Sequence, residues 1–363
     1  MDNIRGILEK FDIKGECKEY KVFGSGHINT TYIVTYSDGG EEVKYILQNV
    51  NTNVFSNIDE LMENVFAVTS HLRKKIRENG GDPERETLHY IKTKSGEKYL
   101  RVGDKAYRAY RFVDKSKSYD RVDSPELFKE SALAFGRFQR YLSDFPAESL
   151  YVTIPNFHNT IWRYENEFLP AVMKDIKNRA KNCQAEIELI NSRKHEFSYL
   201  TDMIENGALP LRVTHNDTKL NNVMFDEETD EAICVIDLDT VMPGLSLYDF
   251  GDSIRFGACT AAEDEKDTDK VKIDLDYFAA YANGFLSEAG DSLTDSERDN
   301  LAFASKLITL ELAMRFLTDY LNGDTYFKTD YSKHNLVRAK AQLALALDME
   351  KHMNEMEEII RHY

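Results

Sequence analysis

Over the first third of the chain, apolar and polar residues alternate in short runs, a pattern that predicts β-strands. Residues 19–51, EYKVFGSGHINTTYIVTYSDGGEEVKYILQNVN, contain three such runs. An Asp-Gly-Gly hairpin turn at residues 38–40 joins the second run to the third. Residues 98–114, KYLRVGDKAYRAYRFVD, predict two more strands around a Gly-Asp turn. Residues 57–79 carry apolar side chains at helical spacing. This part is therefore predicted to be a five-stranded antiparallel sheet with one helix against it.

After residue 113 the apolar residues recur every three or four positions, which predicts helices. The predicted helices are residues 124–142, 163–206, 273–290 and 294–321, the last opened by the capping-box sequence TDSE. Residues 260–270, TAAEDEKDTDK, are acidic and predict an exposed loop. The fold class is accordingly α+β with two lobes, a β-rich N-terminal lobe of residues 1–113 and a mainly helical C-terminal lobe of residues 114–363.

Length and composition agree with a two-lobed enzyme and exclude some classes of partner. A chain of 363 residues is long for a single core. The formal net charge of −17 argues against nucleic acid, because phosphate backbones require a basic face. The four cysteines are scattered, without metal-like spacing, and fit a reducing compartment. With no signal-peptide features and no long apolar run, we expect a cytoplasmic protein without a membrane segment.

One polar segment, VTHNDTKLNNVMFD at residues 213–226, combines groups able to bind metal and phosphate, and VIDLDT follows at residues 235–240. Between their apolar runs lies the turn-rich sequence DEETDE, which predicts a β-hairpin. Asn222 and Asp237 are equidistant from the middle of this turn, so antiparallel pairing makes them neighbours at the open end. Two oxygen ligands in that arrangement can hold Mg²⁺.

Phosphoryl transfer uses this set of residue types. An Asp accepts the proton of the attacking hydroxyl, and an Asn and a second Asp hold Mg²⁺ on the ATP phosphates, in the pattern H-x-D-x-x-x-x-N. Here the pattern is HNDTKLNN, with Asp217 as the candidate base and Lys219 placed to offset charge on the transferred group. The alternative is a polar loop in which Asp and Asn only form turns.

A glycine-containing segment, GSGHINTTY at residues 24–32, lies between two predicted strands. Glycines allow a backbone to turn sharply and to approach phosphates. No P-loop sequence occurs in the chain. A two-lobed, protein-kinase-like fold is therefore favoured over a P-loop kinase.

These motifs resemble those of the aminoglycoside phosphotransferase and choline kinase superfamily, in which the H-x-D-x-x-x-x-N loop precedes a strand that ends in Ile-Asp. The subgroup that the chain resembles most is the bacterial N-acetylhexosamine 1-kinases, through GSGHINTTY, IPNFHNT, VIDLDTVMPGLSLYDFGDSIRFG and RFLTDYLNGDTYFK. The resemblance extends from about residue 20 to residue 342. It implies that the first lobe binds nucleotide and that the second provides catalysis and substrate binding.

The resemblance implies Asp217 as the catalytic base and Asn222 and Asp237 as the Mg²⁺ ligands. The implied nucleotide-binding residues come from the glycine-containing segment, the third strand and the interlobe hinge: Gly24, Ser25, Gly26, Thr30, Thr31, Gln48, Phe112 and Asp114. Backbone groups of the hinge, residues 112–114, would pair with adenine. The implied sugar contacts are His27, Asn29, Asp217, Arg315 and Tyr326.

The chain departs from the superfamily on the third strand. Most members have a Lys or Arg there, paired with a Glu on the following helix, whereas this chain has Gln48, with Glu63 available on the helix. A Gln amide can hydrogen-bond a phosphate but adds no positive charge. Phosphate binding would then depend on Mg²⁺ and on backbone amides of the loop.

Two further residues have alternative roles. Asp249 in YDFGDS is either an acid that fixes the catalytic loop or the N-cap of a helix SIRFG, and the capping role is favoured. Arg315 lies among apolar residues of a predicted helix, where a guanidinium needs either an acidic partner or a polar ligand.

The expected activity is ATP- and Mg²⁺-dependent phosphorylation of the anomeric hydroxyl of an N-acetylhexosamine, GlcNAc or GalNAc, to the sugar 1-phosphate. The expected partners are ATP and a small sugar. One alternative is a kinase for a cationic acceptor such as an aminoglycoside or choline, which the acidic net charge permits. Another is a catalytically silent nucleotide-binding protein, against which the intact Asp217, Asn222 and Asp237 argue.

Overall fold

The chain divides into two compact units in the computed structural model, which describes residues 3–24, 29–52 and 57–363. The first unit comprises Met1–Ser118, Asp144–Thr153 and Asn222–Pro243, and the second Tyr119–Ser143, Ile154–Asn221 and Gly244–Tyr363. The assignment of nucleotide binding to residues 1–113 and of catalysis and substrate binding to residues 114–363 stays a prediction.

An antiparallel sheet forms the centre of the first unit. Its strands are β1 (Glu16–Val22), β2 (Thr30–Asp38), β3 (Glu41–Val50), β4 (Tyr90–Ile91), β5 (Leu100–Val102) and β6 (Lys105–Arg111). They lie in the order β1-β2-β3-β6-β4, with β5 also paired to β6. The five predicted strands are present, and β4 is additional because two residues are too few to show an alternation. The α+β prediction with an N-terminal antiparallel sheet is confirmed.

Turn geometry fixes the register of this sheet. The predicted turn at residues 38–40 joins β2 to β3, and its two glycines have φ of +60° and +96°, as a two-residue hairpin of this type requires. In the resulting register Thr31 lies opposite Gln48, and Gln48 lies opposite Arg108 on β6. Side chains directly opposite one another share a face of the sheet, so these three lie side by side.

Two helices accompany the sheet in the first unit. α1 (Ile4–Leu8) contributes to an apolar core with the strands, which contains Ile4, Ile7, Leu8, Phe11, Ile13, Val34, Tyr36, Leu47, Tyr107 and Ala109. α2 (Ile58–Glu78) matches the predicted helix, and the side chain of its cap, Asn57, accepts a hydrogen bond from the backbone N–H of Glu60.

The predicted hairpin also belongs to the first unit. Strands β7 (Ser116–Lys117), β8 (Val223–Asp226) and β9 (Ala232–Val235) form a second antiparallel sheet in the order β9-β8-β7. The side chain of Asp226 accepts hydrogen bonds from the backbone N–H of Glu228 (2.8 Å) and Thr229 (3.1 Å), which closes the turn.

The second unit is mainly helical. Its α-helices are α3 (Pro125–Tyr141), α4 (Thr160–Arg163), α5 (Leu169–Lys174), α6 (Gln184–Ser192), α7 (Tyr199–Glu205), α8 (Ser246–Gly257), α9 (Leu275–Ala289), α10 (Asp295–Asp299), α11 (Leu301–Asn322), α12 (His334–Lys351) and α13 (Met353–His362). A π-helical turn, Tyr164–Phe168, joins α4 to α5. Helices α3 and α9 approach closely at Gly136, since a Cβ there would lie 2.7 Å from the carbonyl oxygen of Phe285.

The long helix predicted at residues 163–206 is wrong, because the helical run ends at Lys174. The next residue, Asp175, has a left-handed φ of +35°. Its carboxylate accepts hydrogen bonds from the backbone N–H of Arg179 (2.7 Å) and Ala180 (3.1 Å). A carboxylate that bonds nearby backbone N–H groups in this way competes with helical hydrogen bonding.

The helix predicted at residues 294–321 is two helices, α10 and α11, which meet at Asn300. The predicted capping box is present, with Thr294 and Glu297 exchanging side-chain to backbone hydrogen bonds. Helices α3 and α9 match their predictions to within two residues. In the described ranges no helix has both the length and the apolarity needed to cross a bilayer.

Candidate active site

The predicted catalytic loop is held by a carboxylate on α8. Asp249 is buried and accepts hydrogen bonds from the backbone N–H of His215 (2.8 Å) and Asn216 (2.8 Å) and from Nε2 of Gln139 (2.9 Å). Burial raises the pKa of the Asp249 carboxyl, and these hydrogen bonds oppose that rise. Because α8 begins at Ser246, Asp249 lies inside the helix and the favoured capping role is wrong. Asp249 fixes the loop, the other role considered.

His215 orients the next part of the loop. Its ring is buried and makes edge-on contacts with Phe135 and Phe138, at centroid distances of 5.5 and 6.1 Å. Its Nδ1 accepts a hydrogen bond from the backbone N–H of Asp217 at 3.2 Å. His215 therefore acts on Asp217 through the backbone.

Asp217 and Lys219, the predicted catalytic pair, form an ion pair in which Nζ lies 2.7 Å from Oδ1. Burial opposes the charge of Lys219, but Asp217 and Asp252 outweigh it and raise the pKa of the ammonium group. Asp252, which was not predicted, also accepts a hydrogen bond from the backbone N–H of Thr218 at 3.2 Å. Asp252 is held in turn by Arg255, at 2.9 Å. The loop thus presents a carboxylate beside a fixed positive charge.

The predicted metal ligands lie at the open end of the hairpin. The backbone N–H of Ile236 donates to the carbonyl oxygen of Asn222 at 2.9 Å, so Asn222 lies opposite Ile236. The predicted pairing of Asn222 with Asp237 is therefore wrong by one residue, because the strands pair around Thr229 rather than after it. Asp237 has a left-handed φ of +59°, an uncommon conformation that is concentrated at functional sites.

A cavity of about 240 Å³ in the first unit, here called the first-unit cavity, contains both residues. Its lining consists of Asn29, Thr31, Gln48, Leu88, Tyr90, Arg108, Tyr110, Asn222, Ile236 and Asp237. The amide of Asn222 and the carboxylate of Asp237 offer oxygen ligands, and Mg²⁺ commonly uses one or two such side chains together with water and substrate phosphates. The donor set fits Mg²⁺. No group of three or more His, Cys, Asp or Glu in the described residues forms another candidate metal site.

A buried arginine that was not predicted lines the same cavity. Arg108 is 1% exposed and forms an ion pair with Asp239, which also accepts a hydrogen bond from Nδ2 of Asn29 at 3.0 Å. Its Nε and Nη2 donate to Oε1 of Gln48 at 2.9 and 2.8 Å. Gln48 donates in turn to Oγ1 of Thr31 at 3.2 Å. The positive charge missing on β3 is therefore present on β6.

The acid beside this cation comes from Asp239 and not from α2. Glu63, the candidate helix acid, is exposed and forms an ion pair with Lys98. The buried side chain at this point of α2 is Asn64, which donates to the carbonyl oxygen of Val241 at 3.0 Å. That bond ties α2 to the segment that carries Asp239.

Asn29 was predicted to contact sugar, and the structure places it among the predicted nucleotide-binding residues. Besides its bond to Asp239, its Oδ1 accepts a hydrogen bond from the backbone N–H of Asn51 at 2.9 Å. Thr30 opens β2 beside it and is exposed. Gly24, the first residue of the glycine-containing segment, has a left-handed φ of +76°. The predicted residues Ser25, Gly26 and His27 lie outside the described residues.

The predicted hinge follows β6. The backbone N–H of Phe112 already donates to the carbonyl oxygen of Lys44 at 3.0 Å, and the carboxylate of Asp114 lies 3.4 Å from Nζ of the same lysine. The ring of Phe112 packs edge-on against Phe23, at 5.8 Å between centroids. The contact of this segment with adenine stays a prediction.

A second cavity, here called the second-unit cavity, has a volume of about 500 Å³. It is lined by Ile154, Pro155, Trp162, Arg163, Asn166, Glu167, Pro170, Ala171, Lys174, Arg315, Thr318, Asp319, Asn322, Thr325, Tyr326 and Phe327. Both predicted sugar contacts of the helical lobe, Arg315 and Tyr326, belong to it. Tyr326 is 71% exposed.

Arg315 is held by aromatic rings. Its guanidinium lies 5.5, 5.9 and 5.6 Å from the ring centroids of Phe157, Tyr326 and Phe327, within the range of cation–π attraction. It makes no hydrogen bond or ion pair with any residue in the described parts of the chain. Burial and the nearby charge of Arg163 lower the pKa of Arg315. The sequence left open whether Arg315 has an acidic partner or binds a polar ligand. This geometry matches a guanidinium that can bind a polar ligand.

The carboxylates of the second-unit cavity are already engaged. Asp319 is buried and accepts hydrogen bonds from the backbone N–H groups of residues 325–327 at 2.8–2.9 Å and from Nδ2 of Asn335 at 2.8 Å. Glu167 is bonded by Arg163 at 2.8 Å. The GDTYFK segment is therefore folded around Asp319, and the remaining charge of the cavity lining is positive.

A buried carboxylate on α11 accepts hydrogen bonds from residues at the start of α4 and just before it. Glu311, one helical turn before Arg315, accepts hydrogen bonds from Nδ1 of His158 (3.0 Å) and Oγ1 of Thr160 (2.7 Å). Nε of Arg163, which lines the second-unit cavity, lies 3.8 Å from the same carboxylate. His158 lies in the motif IPNFHNT, but its partner is 153 residues away and could not be identified from spacing.

Comparison with known proteins identifies the family. Residues 19–286 match the model of the phosphotransferase enzyme family, which is well over half of the chain. The chain belongs to this family. The match includes the predicted catalytic loop and the hairpin of this phosphotransferase, and it ends before α11, so Arg315 and Tyr326 lie beyond it.

Solved structures of similar fold are also phosphotransferases. An aminoglycoside phosphotransferase from Alicyclobacillus acidocaldarius subsp. acidocaldarius DSM 446 has a TM-score of 0.64 at 13% identity, covering 99% of this chain and 96% of that chain. Spectinomycin phosphotransferase, solved with ADP and spectinomycin, has a TM-score of 0.57 at 12% identity, with 96% and 98% covered. Choline kinase from Cryptosporidium parvum Iowa II has a TM-score of 0.56 at 14% identity, with 99% and 98% covered. These similarities concern the fold of this phosphotransferase.

Proposed function

We propose that this phosphotransferase transfers the γ-phosphoryl group of ATP to the anomeric hydroxyl of an N-acetylhexosamine, GlcNAc or GalNAc. Family membership supports phosphoryl transfer, and the motif resemblance supports the sugar. The observation that carries the choice of acceptor is the second-unit cavity, where Arg315 has no carboxylate partner among the described residues.

On the nucleotide side, Asn222 and Asp237 would hold Mg²⁺ in the first-unit cavity. When bound, the ion offsets charge on the ATP phosphates and on the group in transfer. Asp237 contributes a negative charge and Asn222 a neutral oxygen. The backbone bond between Ile236 and Asn222 keeps the two segments in register.

On the acceptor side, Asp217 accepts the proton of the attacking hydroxyl. Its backbone is held by His215, and the loop before it by Asp249, so the carboxylate is positioned before the acceptor arrives. Lys219, 2.7 Å from Asp217, places a positive charge beside the reacting oxygens. His27, Arg315 and Tyr326 bind hydroxyl and acetamido groups of the sugar, and Asn29 is a further candidate contact.

Charge in the second-unit cavity favours a neutral acceptor over a cationic one. Glu167 and Asp319 are already bonded, while Lys174 and Arg315 have no ion pair within the described residues. A cationic aminoglycoside would meet like charge there, which is unfavourable in a partly buried site. The aromatic rings that could cage choline already hold the guanidinium of Arg315.

The experiment is an ADP-release assay with a panel of acceptors. We expect turnover with GlcNAc or GalNAc and little with aminoglycosides, choline or ethanolamine. Methyl glycosides of the two sugars are the matched controls, because they block only the anomeric hydroxyl. The product of the free sugar should be identified by ³¹P NMR through the coupling of its phosphorus to the anomeric proton.

Each alternative has its own result in this panel. Turnover with an aminoglycoside or choline, and none with the sugars, would replace the acceptor. Equal turnover of the methyl glycosides would move the reaction to another hydroxyl. A protein that binds ATP and phosphorylates nothing in the panel would support the silent nucleotide-binding protein.

A further inference from the structure

The guanidinium of Arg108 is only partly satisfied by the protein. It has five N–H groups. Three of them are used, two by Oε1 of Gln48 and one by Asp239. The other two have no acceptor among the described residues, although the side chain is 99% buried and lines the first-unit cavity. Buried donors without acceptors are costly, so such a group points to a ligand.

The position of Arg108 is fixed from three sides. Gln48 is its cross-strand neighbour in the sheet, and Asp239 holds its other edge. The ring of Tyr90 lies 5.6 Å from the guanidinium carbon. Burial opposes the charge, but the carboxylate of Asp239 outweighs it and raises the pKa of Arg108 above its ordinary value. The side chain therefore stays charged and is oriented before any ligand binds.

The same cavity contains the oxygen ligands Asn222 and Asp237. If Asn222 and Asp237 held Mg²⁺, an anion bound to that ion would lie in the first-unit cavity of about 240 Å³. The buried guanidinium of Arg108 forms part of the wall of this cavity. Planar guanidinium groups bind phosphate oxygens through paired N–H donors. Asp239 follows Asp237 by two residues, so the metal ligand and the partner of Arg108 belong to one short segment.

We propose that Arg108 binds the phosphates of the nucleotide, and that Arg108 with Asp239 replaces the missing cation on β3 and its helix acid. Gln48 is then a positioning residue, which orients the guanidinium through its Oε1 and is itself held by Thr31. This inference rests on the nucleotide-binding half of the proposed function and is independent of which acceptor is used.

Calorimetric titration with Mg²⁺·ADP and with adenosine tests the proposal. Adenosine lacks phosphates, so the ratio of the two affinities isolates phosphate binding. Arg108→Met should weaken Mg²⁺·ADP by about 10- to 100-fold, as expected for a lost hydrogen bond to a charged group, and should leave adenosine nearly unchanged. Arg111→Met is the matched control on the same strand, since Arg111 bonds Glu84 and does not line the cavity. It should leave both affinities unchanged.

Two further variants keep the test decisive if Arg108→Met does not fold. Arg108→Lys retains the charge and should lower the ADP-to-adenosine affinity ratio by a smaller factor. The exchange variant Gln48→Arg with Arg108→Gln moves the guanidinium across the strand pair and should recover part of the ADP affinity. An affinity ratio that is the same in wild type, Arg108→Lys and Arg108→Met would overturn the assignment. If wild type binds no nucleotide at all, the proposed function itself fails.

Discussion

Arg108 and Arg315 each line a cavity, one in each unit, and they are held in opposite ways. Arg108 is buried, paired with Asp239 and bonded by Gln48, and its pKa is raised. Arg315 rests on three aromatic rings without a hydrogen bond or ion pair in the described chain, and its pKa is lowered. A guanidinium held by directional bonds is fixed in orientation, whereas cation–π contacts permit it to turn.

This difference suits two kinds of ligand. Nucleotide phosphates are highly charged, and a fixed, charged donor meets them without reorganisation. A neutral sugar offers hydroxyl and amide groups, which a guanidinium on aromatic faces can approach from several directions. The second unit also contains a fully paired arginine, Arg255, between Asp252 and Glu263, so pairing is not a property of one unit alone.

The largest expected effect is on turnover. A variant without turnover also permits ligand binding to be measured for each cavity. Asp217→Asn keeps the shape of the side chain but cannot accept the hydroxyl proton, so kcat should fall by about 10²–10⁴-fold. Binding of Mg²⁺·ATP and of sugar should remain near normal, because the amide keeps the shape of the carboxylate and can still hydrogen-bond the acceptor hydroxyl. Stopped-flow or coupled assays measure the first effect and calorimetry the second. A variant with more than about a tenth of wild-type kcat would show that Asp217 is not the base.

The two arginines should differ next in their effect on stability. Arg108→Met leaves Asp239 buried without its cation and should lower the free energy of unfolding by about 3–5 kcal/mol. Arg315→Met removes no ion pair within the described residues and should cost about 1 kcal/mol or less. Denaturant melts of both variants without ligand provide the measurement. Equal losses would mean that Arg315 is a structural residue as Arg108 is.

The two proposed Mg²⁺ ligands of the first-unit cavity should differ from each other by a smaller amount in their effect on ATP binding. Asp237→Ala removes a ligand oxygen and a negative charge, whereas Asn222→Ala removes only the oxygen. Mg²⁺-dependent ATP binding should therefore weaken more in Asp237→Ala than in Asn222→Ala. Titration of Mg²⁺ with ATP present compares them. The site at the end of the hairpin is disproved if neither variant changes the Mg²⁺ dependence.

The smallest effect is on stability and depends on pH. It concerns Asp252, the partner of the paired arginine Arg255 in the second unit. Burial opposes ionisation of Asp252, but Arg255 and Lys219 outweigh it and lower the pKa of the carboxyl. A lowered folded pKa stabilises the protein above the unfolded value of about 3.9, and that stability is lost as the pH falls through the folded pKa. Asp252→Asn should thus melt below wild type at neutral pH, and the difference in Tm should shrink as the pH falls below the unfolded value of about 3.9. A Tm difference that stays constant from pH 7 to acid would contradict this assignment.

Local signals in the sequence predicted much of this fold. The Asp-Gly-Gly turn, the alternation of β2 and β3 and the Thr294 capping box all lie within a few residues of the elements they define. The hairpin was likewise predicted from one continuous segment, and the catalytic role of the loop before it stays a prediction. The error of one residue at Asp237 arose because register depends on where the turn begins, which spacing alone leaves uncertain.

Contacts between distant residues could not be predicted in the same way. Arg108 and Asp239 are 131 residues apart, and Gln48 meets Arg108 only through the pairing of β3 with β6. Arg108 was visible in the sequence, but nothing nearby distinguished it from Arg111, the other arginine of β6. Asp249 was misassigned because the start of α8 at Ser246 lacked a side-chain cap to mark it.

The most direct test titrates two ligands into two variants, all in the Asp217→Asn background. The ligands are Mg²⁺·ATP and the sugar that turns over fastest in the acceptor panel, and the variants are Arg108→Met and Arg315→Met. We predict that Arg108→Met weakens Mg²⁺·ATP by about 10-fold or more and leaves the sugar unchanged, and that Arg315→Met weakens the sugar and leaves the nucleotide unchanged. The account would be contradicted if Arg108→Met weakened the sugar, if Arg315→Met weakened the nucleotide, or if either variant weakened both ligands equally. Any of these results would mean that nucleotide and acceptor do not bind in separate cavities with one arginine for each.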